Sequence, residues 1–373
     1  MYIIYDARHF EDYYSGLSRY SFSVLDELIK SGNFKKLDII LNSSYDYTNN
    51  PLFLQIQSKI NSKKNINLIY LDAPIFSFKH NFSVSQYINS TNCNIYFYPH
   101  FDIPILIRKK SIFVVHDLFA LILDDYILKY SFLKKIYLKT ILNISLMKKN
   151  TKCVAVSETT KQDIIKFFGI KFNNKITVIY EDSFSDTEEE PNTENSLPNL
   201  IYEERYLLYI GGRRKHKNLK QMIDIFQILV EKENYDGYFI IAGSKKNFDF
   251  NVEEYIYNKK NIISIGQVSD WELNILYKNM EALFFLSKYE GFGLPIVEAS
   301  KYNKKIITSN LGACKEIAPE NALMLDIDNK NDILANRITK YLCGKERINN
   351  KKYFKKFSWQ NTVKYITSMA VSN

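Results

Sequence analysis

The 373-residue chain has few cysteines and no long apolar run, and both shortages exclude whole classes of protein. Its four cysteines show no Cys-x-x-Cys spacing and no paired framework, which excludes the common zinc and dithiol motifs and favours the reducing cytoplasm. No apolar run approaches the roughly 20 residues of a membrane span. The chain starts with a short apolar strand and no basic segment before it, so no signal peptide is expected. The sequence therefore predicts a cytoplasmic protein.

Acidic residues are scarce relative to basic ones in the first half of the chain only. Residues 1–180 hold 23 Lys and Arg against 14 Asp and Glu, whereas residues 181–373 hold 27 of each class. The whole formal charge of +9 therefore falls on the first half. No recognised nucleic-acid motif accompanies this charge, so nucleic acid is not an expected partner.

Segment 127–139, in the basic half, interleaves lysines with apolar and aromatic residues. On a helix, Lys135 and Lys139 share one face, whereas Leu128, Phe132 and Ile136 share another. An anionic membrane surface is the expected partner, which would place the protein peripherally on the inner face of the plasma membrane. The alternative is that the apolar stripe packs on a sheet and leaves its lysines solvated.

Short β-branched or aromatic runs alternate with helical stretches from end to end, which predicts parallel sheets covered by helices. The fold class is α/β, and the length favours two Rossmann-like, doubly wound domains facing across a cleft. The predicted parts are a first domain (1–182), a linker or loop (183–204), a second domain (205–356) and a final helix (357–373). The predicted strands are 2–6, 37–41, 67–71, 95–98, 112–115, 152–155, 176–179, 206–210, 237–242, 262–265, 282–286, 305–308 and 322–325.

Two glutamates, Glu290 and Glu298, frame a segment that is typical of a strand end, a glycine turn and a helix start. Gly291 and Gly293 lack the Cβ atoms that would block a ligand or forbid a positive φ, and Pro295 suits the first turn of a helix. The free N–H groups at the start of that helix favour an anion such as a diphosphate. Such turns also occur as mere connectors. With a carboxylate at each end, however, the segment predicts a nucleotide-sugar site.

A second anion site is predicted after the strand 206–210. Two glycines, Gly211 and Gly212, are followed by a basic run that includes Arg213, Arg214 and Lys217. Guanidinium and ammonium groups can clamp a diphosphate and neutralise its leaving charge. A solvated basic turn is the alternative. The position after a strand and the pairing with the Glu290 segment favour the anion site.

These two segments resemble the Glu-x7-Glu motif and basic loop of retaining GT-B glycosyltransferases of family 4. The resemblance covers nearly the whole chain and is poorest at 43–90 and 182–204. It implies that Lys217 and one arginine, Arg213 or Arg214, bind the diphosphate, and that Glu290 positions the sugar and stabilises positive charge without attacking. It also implies an acceptor-side first domain, a nucleotide-sugar-binding second domain, and a final helix that crosses back to the first.

The resemblance implies further site residues. His116, in a His-Asp-Leu after the strand 112–115, would contact the donor sugar or its departing phosphate, and Gly16 would belong to a glycine loop near the donor. The other implied donor or nucleotide contacts are Gly211, Gly212, Gly243, Ser244, Gln267, Val268, Gly291, Phe292, Gly293, Leu294 and Glu298. The implied acceptor-side residues are Tyr98, His100 and Asp102.

The implied mechanism needs no metal or other cofactor. Relatives of the other architecture hold a divalent ion with Asp-x-Asp, and the candidate here, Asp124-Asp125, lacks that spacing. Lys217 and the arginines would carry the charge of the leaving diphosphate instead. The acceptor hydroxyl would attack from the face that the diphosphate leaves, and a phosphate oxygen would take its proton.

The His-Asp-Leu and Lys-Asn-Leu variants resemble bacterial mannosyltransferases of O-antigen and exopolysaccharide assembly. This favours GDP-mannose as the donor and a lipid-linked, growing surface glycan as the acceptor. One alternative is a UDP-sugar-dependent glucosyl, galactosyl or N-acetylhexosaminyl transferase of the same fold, and another is an enzyme that uses a soluble acceptor. A binding protein without turnover is a third, and the presence of Glu290, Glu298, Lys217 and His116 argues against it.

Overall fold

The structure is a computed structural model that describes residues 1–13, 15–75, 77–122, 132–183, 197–245, 251–344 and 353–371, with the backbone alone for 132–134. Most of the predicted linker (184–196) lies outside these residues, as do Asp124, Asp125 and the start of the predicted membrane segment, 127–131. The chain divides into two compact units. Unit 1 comprises Met1–Asp182 with Phe357–Asn373, and unit 2 comprises Ser183–Lys356.

Unit 1 is built on a seven-stranded sheet whose strands all pair in parallel. The strands are β1 (Tyr2–Asp6), β2 (Lys36–Asn42), β3 (Ile66–Leu71), β4 (Ile95–Tyr98), β5 (Ser111–Val115), β6 (Thr151–Ala155) and β7 (Ile176–Val178). Their order in the sheet is β3-β2-β1-β4-β5-β6-β7. The direction of winding reverses between β1 and β4, and the carboxyl ends of strands at such a switch point are where open α/β sheets bind ligands.

Helices connect these strands. They are α1 (Gly16–Ser31), α2 (Pro51–Ile60), α3 (Phe78–Ser90), α4 (Phe119–Ile122), α5 (Phe132–Met147) and α6 (Glu158–Phe168), with 3₁₀ turns at Arg8–Glu11 and Ile170–Lys175. Short polar residues cap several of them. Ser15 accepts a hydrogen bond from the backbone N–H of Ser18 at the start of α1, and Ser157 accepts one from Thr160 at the start of α6.

Unit 2 repeats the plan with a six-stranded parallel sheet. Its strands are β8 (Tyr206–Ile210), β9 (Tyr238–Ala242), β10 (Ile262–Gly266), β11 (Ala282–Phe285), β12 (Lys305–Ser309) and β13 (Leu323–Leu325), in the order β10-β9-β8-β11-β12-β13. The switch point therefore lies between β8 and β11. The helices of unit 2 are α7 (Leu200–Glu203), α8 (Leu219–Lys232), α9 (Val252–Ile256), α10 (Asp270–Asn279), α11 (Leu294–Lys301), α12 (Gly312–Ile317) and α13 (Asn331–Cys343).

The α/β prediction is confirmed, and each predicted strand has an observed counterpart with ends within one residue of the prediction. The inner strands were visible in the sequence because helices cover both faces of a parallel sheet, so that such a strand becomes a mainly apolar run. Every residue of β5 is buried, for example. Cys93, Cys153 and Cys314 are buried as free thiols within this packing, and Cys343 is exposed.

The last helix, α14 (Trp359–Val371), belongs to unit 1 and packs against α1. The indole of Trp359 meets the ring of Tyr20 edge to face at a centroid distance of 5.4 Å. Further along, the Tyr365 hydroxyl lies 3.1 Å from the Thr177 hydroxyl at β7. Aromatic and hydroxyl contacts thus tie the end of the chain to the first unit.

The predicted linker 183–204 is not irregular throughout. Its last part forms α7, and the side chain of Ile201 is fully buried in unit 2, with Leu197 buried nearby in sequence. These apolar residues anchor a segment whose average composition is polar. The average composition of residues 183–204 therefore concealed the short helix α7.

Helix α5 contains the described part of the predicted membrane segment. Leu138 and Leu142 are buried in the core, whereas Ile136 is 46% exposed and Tyr137 is 36% exposed. Lys139 is exposed beside them. Within the described residues, no helix combines the length and apolar character needed to cross a membrane.

Candidate functional site

The basic loop and the Glu290 segment meet at the switch point of unit 2. The loop follows β8 and forms a 3₁₀ turn, Lys215–Lys217, whereas Glu290 follows β11, the neighbouring strand. A backbone hydrogen bond of 2.8 Å from the Lys288 N–H to the His216 carbonyl holds the two loops together. The topology therefore brings together two predicted anion-site segments that are far apart in the sequence.

Lys217 and Glu290 form an ion pair within this pair of loops. The Lys217 Nζ donates to both carboxylate oxygens of Glu290, at 2.7 Å to Oε1 and 2.8 Å to Oε2. Both side chains are largely buried. The residue predicted to bind the diphosphate and the residue predicted to bind the sugar are thus partners of one another in the structure.

The glycine turn before α11 has the backbone that the sequence predicts. Gly293 has φ 107°, a left-handed conformation that favours glycine, and it precedes the first helical residue, Leu294. Pro295 lies in the first turn, where its missing N–H costs nothing. Gly291 is half-buried, whereas Phe292 is buried. Pro295 has no N–H and the Ile296 N–H donates to the Gly293 carbonyl at 2.9 Å, so Leu294 provides the first N–H of α11.

A second glycine position is set by close backbone packing. Gly243, after β9, has φ 128°, and a Cβ there would lie 2.2 Å from the carbonyl oxygen of Gly211. Only glycine fits this contact between the carboxyl ends of β8 and β9. Ser244 comes next and is half-buried, like Gly211 and Gly212.

Arg213, predicted as a phosphate ligand, is held elsewhere in unit 2. Its side chain is buried, pairs with Glu253 at α9, and donates to the Ser264 hydroxyl at 2.6 Å. To reach a diphosphate, it would have to leave this ion pair. Arg214 is half-buried, so it is the more accessible of the two arginines that the sequence left open.

Glu298 and the loop after β10 contain the remaining predicted nucleotide contacts. Glu298 is buried one turn into α11, and its Oε2 accepts a hydrogen bond of 2.6 Å from the Tyr277 hydroxyl. Gln267 is exposed and Val268 half-buried in the loop before α10. Just before this loop, the carbonyl of Gly266 at the end of β10 accepts a 2.6 Å hydrogen bond from the Gly243 N–H.

His116 lies after β5 in unit 1, and each of its ring nitrogens is within hydrogen-bond distance of an acceptor oxygen. Nδ1 lies 2.9 Å from Oε1 of Glu181, and Nε2 lies 2.8 Å from the carbonyl oxygen of Pro99. Burial disfavours the imidazolium, but the hydrogen bond and charge of Glu181 outweigh it and raise the pKa of His116. The ring is also in edge contact with Tyr20 at 4.6 Å. Contact with a donor sugar, as predicted, would require His116 to give up one of these partners.

The predicted acceptor-side residues follow β4. Tyr98 and Asp102 are buried and joined by a 2.9 Å hydrogen bond from the Tyr98 hydroxyl to Asp102 Oδ1. The same oxygen takes a hydrogen bond from Nδ1 of His100, the most exposed of the three. Burial alone would raise the pKa of Asp102, but the charge of His100 and the surrounding imidazoles hold it well below its ordinary value.

Three residues that the sequence analysis did not select complete this cluster. His9, after β1, lies 3.2 Å from the Tyr98 hydroxyl, and burial lowers its pKa to about 3. Arg8 forms a buried ion pair with Asp6. A weak signal was available, because Asp6 is the last residue of β1, and Arg8 and His9 come directly after this strand, which the sequence placed correctly. Among the described residues, His9, His100 and Asp102 also form a group whose possible metal-ligand atoms all lie within 4.8 Å of one another.

Gly16, the first residue of α1, is exposed, and a Cβ built on it would have no atom within 4 Å. Neither packing nor backbone conformation within the described residues therefore requires glycine at this position. Its predicted place near a donor remains a prediction.

Comparison with known proteins agrees with this architecture. Residues 193–357 match the family model of glycosyl transferases group 1. Among solved structures, a glycosyltransferase from Rickettsia africae superposes with a TM-score of 0.69, covering 100% of this chain and 98% of that one at 17% sequence identity. The chain therefore has the fold of these glycosyltransferases, and residues 193–357 are similar to the group 1 family. Family 4 is consistent with these matches.

Two further proteins are similar to this chain. Anabaena Alr3699/HepE, solved with UDP and glucose, has a TM-score of 0.68 and 13% identity, covering 99% of this chain and 98% of that one. The O-antigen chain mannosyltransferase RfbU of Salmonella typhimurium is 28% identical over 235 residues, which are 62% of this chain and 60% of that protein. The chain thus matches 60% of the length of this curated relative.

Proposed function

We propose that the chain transfers a hexose, with mannose favoured, from a nucleotide-diphosphate sugar to a growing bacterial surface glycan, with retention of the anomeric configuration. The observation that supports this most is the Lys217–Glu290 pair at the switch point of unit 2, beside the glycine turn that opens α11. A cation, a carboxylate and the N-terminus of a helix are the chemistry that a sugar diphosphate needs.

In the proposed reaction the diphosphate takes Lys217 away from Glu290. The ammonium group then balances the charge that grows on the leaving phosphate, together with an arginine and the N–H groups at the start of α11. Glu290 is released to bind sugar hydroxyls and to stabilise the oxocarbenium-like state. The acceptor oxygen bonds to the anomeric carbon on the face that the phosphate oxygen leaves, and the leaving phosphate takes the acceptor's proton.

Glu298 is proposed as the carboxylate for the ribose hydroxyls. Glu298 lies one turn beyond the start of α11, and the glycine turn lies between it and Glu290 in the sequence. The base would then contact the loops at Gly243-Ser244 and Gln267-Val268. His116 is proposed as a cationic neighbour of the departing phosphate, since its partners favour the imidazolium.

The similarity to a mannosyltransferase of O-antigen chains supports mannose as the sugar. A lipid-linked glycan is the proposed acceptor. A UDP-sugar is the second candidate, because a structure of the same fold was solved with UDP and glucose. Cytoplasmic placement, with peripheral binding to the inner face of the plasma membrane, is part of the proposal.

One experiment tests donor and mechanism together. The purified chain is incubated with GDP-mannose, UDP-glucose, UDP-galactose and UDP-N-acetylglucosamine, and release of nucleoside diphosphate is followed with alkyl glycosides as acceptors. We expect release from GDP-mannose above the other donors, an axial product linkage by NMR, and initial rates unchanged by chelator. A preference for a UDP-sugar would show that the donor is not GDP-mannose. An inverted product refutes retention. A strict need for magnesium or manganese refutes the charge role of Lys217.

A further inference from the structure

The switch point of unit 1 contains a group of buried polar side chains to which the proposed donor chemistry gives no role. His9 lies in the 3₁₀ turn that follows β1, and His100 and Asp102 follow β4, the neighbouring strand. The carboxyl ends of the strands at a switch point are where open α/β sheets bind ligands. The group therefore lies where a ligand of unit 1 is expected.

The three side chains offer metal-ligating atoms at short range. One such atom from each of His9, His100 and Asp102 lies within 4.8 Å of the other two. The Tyr98 hydroxyl lies 3.2 Å from Nε2 of His9 and donates to Oδ1 of Asp102 at 2.9 Å, so it joins two members of the group. Zinc lies about 2.0 to 2.2 Å from nitrogen and oxygen ligands, which allows at most about 4.4 Å between two of them. Small side-chain rotations therefore suffice to bring the three atoms onto one ion.

One carboxylate oxygen of Asp102 points to a missing cation. Asp102 is buried, and its Oδ1 takes hydrogen bonds from the Tyr98 hydroxyl and from Nδ1 of His100. Its Oδ2 is also buried, but no hydrogen-bond donor of the described residues reaches it, and Nε2 of His80, at 3.9 Å, is too far away. Buried charges in proteins are paired and hydrogen-bonded or coordinate metals. A metal ion beside Asp102 would satisfy this oxygen.

The ligand types select the kind of ion. Two imidazoles and one carboxylate suit Zn²⁺, whereas Mg²⁺ and Ca²⁺ take oxygen ligands. Nδ1 is the nitrogen of His100 that contacts Asp102. Zinc that binds these two side chains replaces the proton between them, whichever of the two carries it, because metal ligands bind in their deprotonated form. Nε2 of His100 keeps its surroundings.

Residues around the group hold Asp102 in place. Nε2 of His80 lies 2.7 Å from the carbonyl oxygen of Asp102, and Nδ1 of His80 lies 3.1 Å from Nη2 of Arg8. Arg8 in turn binds both carboxylate oxygens of Asp6, at 2.9 Å through Nε and 2.7 Å through Nη2. Outer partners of this kind orient the ligands of metal sites. Because Arg8 and His9 are neighbours in one turn, the same segment provides a ligand and part of its support.

We propose that His9, His100 and Asp102 bind a zinc ion at the switch point of unit 1. Three protein ligands leave the fourth tetrahedral position to water or another small ligand. His100 marks the side of entry, since 16% of its side chain is exposed against 1% for Asp102. The ion joins the turns after β1 and β4 and stabilises unit 1. The site does not rest on the proposed function, in which Lys217 of unit 2 balances the charge of the leaving phosphate, so removal of zinc should leave initial rates unchanged.

Direct binding tests the site. The whole chain is dialysed against chelator and then titrated with Zn²⁺ in competition with a fluorescent indicator, and elemental analysis gives the zinc content. Cys343→Ser removes an exposed thiol that could bind zinc adventitiously, so it serves as the parent of all variants and should bind zinc as the wild type does. We expect one tightly bound zinc per chain. Zinc should also raise the midpoint of thermal unfolding, because an ion that binds the folded chain stabilises it.

Substitutions identify the ligands. His9→Gln, His100→Gln and Asp102→Asn should each lower zinc affinity by at least about 100-fold, the upper range for loss of an outer partner. His116→Gln is the matched control, because His116 is a histidine of the same unit outside the group, and it should keep the parent's affinity. In the ¹⁵N-histidine spectrum, zinc should shift the signals of His9 and His100, assigned by their loss in the two variants, and leave that of His116. This spectrum decides the matter even if Asp102→Asn fails to fold.

Each contrary result has its own meaning. Equal zinc affinity in the parent, His9→Gln and Asp102→Asn shows that zinc binds elsewhere and overturns the site. Zinc that leaves the signals of His9 and His100 in place overturns it as well. Tighter binding of Mg²⁺ than of Zn²⁺ contradicts imidazole ligands. Absence of nucleoside diphosphate release from every donor refutes the proposed function alone, because zinc affinity and the histidine signals do not depend on turnover.

Discussion

Lys217 and Glu290 lie 73 positions apart in the chain and meet as a two-pronged ion pair, with Nζ at 2.7 Å and 2.8 Å from the two carboxylate oxygens. Because the pair is largely buried, little solvent screens the attraction. A diphosphate that binds Lys217 must compete with this carboxylate. Binding of the donor and release of Glu290 are therefore coupled in the proposed reaction.

Replacing Lys217 by alanine removes the cation that the diphosphate needs. We expect a loss of about 10² to 10³ in turnover, the usual effect of one electrostatic donor, together with weaker binding of nucleoside diphosphate. Initial rates and calorimetric titration with GDP and UDP measure both quantities. Lys220→Ala is the matched control, because Lys220 is exposed on α8. Near-normal turnover and affinity in Lys217→Ala would place the diphosphate elsewhere.

Replacing Glu290 by glutamine should affect turnover and nucleotide affinity differently. The carboxylate that stabilises the sugar is lost, so turnover falls, whereas affinity for free nucleoside diphosphate holds or rises because Lys217 has lost its ionic partner. Glu298→Gln should instead weaken nucleotide binding, since Glu298 is assigned to the ribose. The same titration distinguishes the two variants. Equal losses of nucleotide affinity in both contradict the assignment.

Measurements of unfolding free energy and of turnover should distinguish the roles of the two arginines of the basic loop. Arg213→Ala leaves Glu253 and Ser264 without their buried partner, so we expect about 2 kcal/mol less unfolding free energy, typical of hydrogen bonds to charged groups. Arg214→Ala should lose donor turnover, because Arg214 is the more accessible of the two arginines. Urea unfolding and initial rates of both variants provide the comparison. Stable Arg213→Ala protein with lost turnover would make Arg213 the phosphate ligand after all.

The contact between His116 and Glu181 predicts a pH dependence of stability. The folded pKa of His116 lies above its ordinary value of 6.5, because Glu181 outweighs the opposing effect of burial. Below pH 6.5 both folded and unfolded chains bind this proton, and the stabilisation is complete. As the pH rises through the folded pKa, the stabilisation is lost. Urea unfolding of wild type and His116→Gln should differ most at pH 5.5 to 6.5 and least near pH 9, and a constant difference would show that the proton has no part in it.

The fold was predictable because each parallel strand is a local apolar run, and such a run can be recognised without its neighbours. The start of α11 was equally local, since Gly293 and Pro295 determine it within three residues. The site was less predictable because it depends on pairs that are distant in the sequence. Nothing in the order of residues indicated that Arg213 would pair with Glu253, or that Lys217 would already be bound to Glu290.

The cluster of unit 1 shows a second limit. Tyr98, His100 and Asp102 were selected from one short segment, but they lie in a hydrogen-bond network that includes His9 and, through His80, Arg8, both of which follow another strand. Only the adjacency of β1 and β4 in the sheet brings these residues together. Sequence reasoning that had applied the switch-point rule to the first strand as well as the fourth could have selected them.

The described part of α5 supports a final prediction, that unit 1 binds an anionic membrane surface. Ile136 and Tyr137 are exposed beside Lys139, whereas Leu138 packs into the core, so apolar and basic side chains face solvent together. Each lysine near an anionic surface contributes roughly 1 kcal/mol, so binding should be reversible and should weaken with salt. Flotation with anionic and neutral vesicles measures it.

The double variant Ile136→Ser with Lys139→Glu should lose most of this recruitment, because it removes an apolar contact and reverses a charge on the same exposed face. Lys278→Glu is the matched control, since Lys278 is exposed on α10 in unit 2, where the basic and acidic residues of the second half balance. Full recruitment of the double variant would move the binding surface to another part of unit 1. If the wild-type chain fails to float with anionic vesicles even at low ionic strength, the charge of the first half has no membrane role, because electrostatic attraction is strongest under that condition.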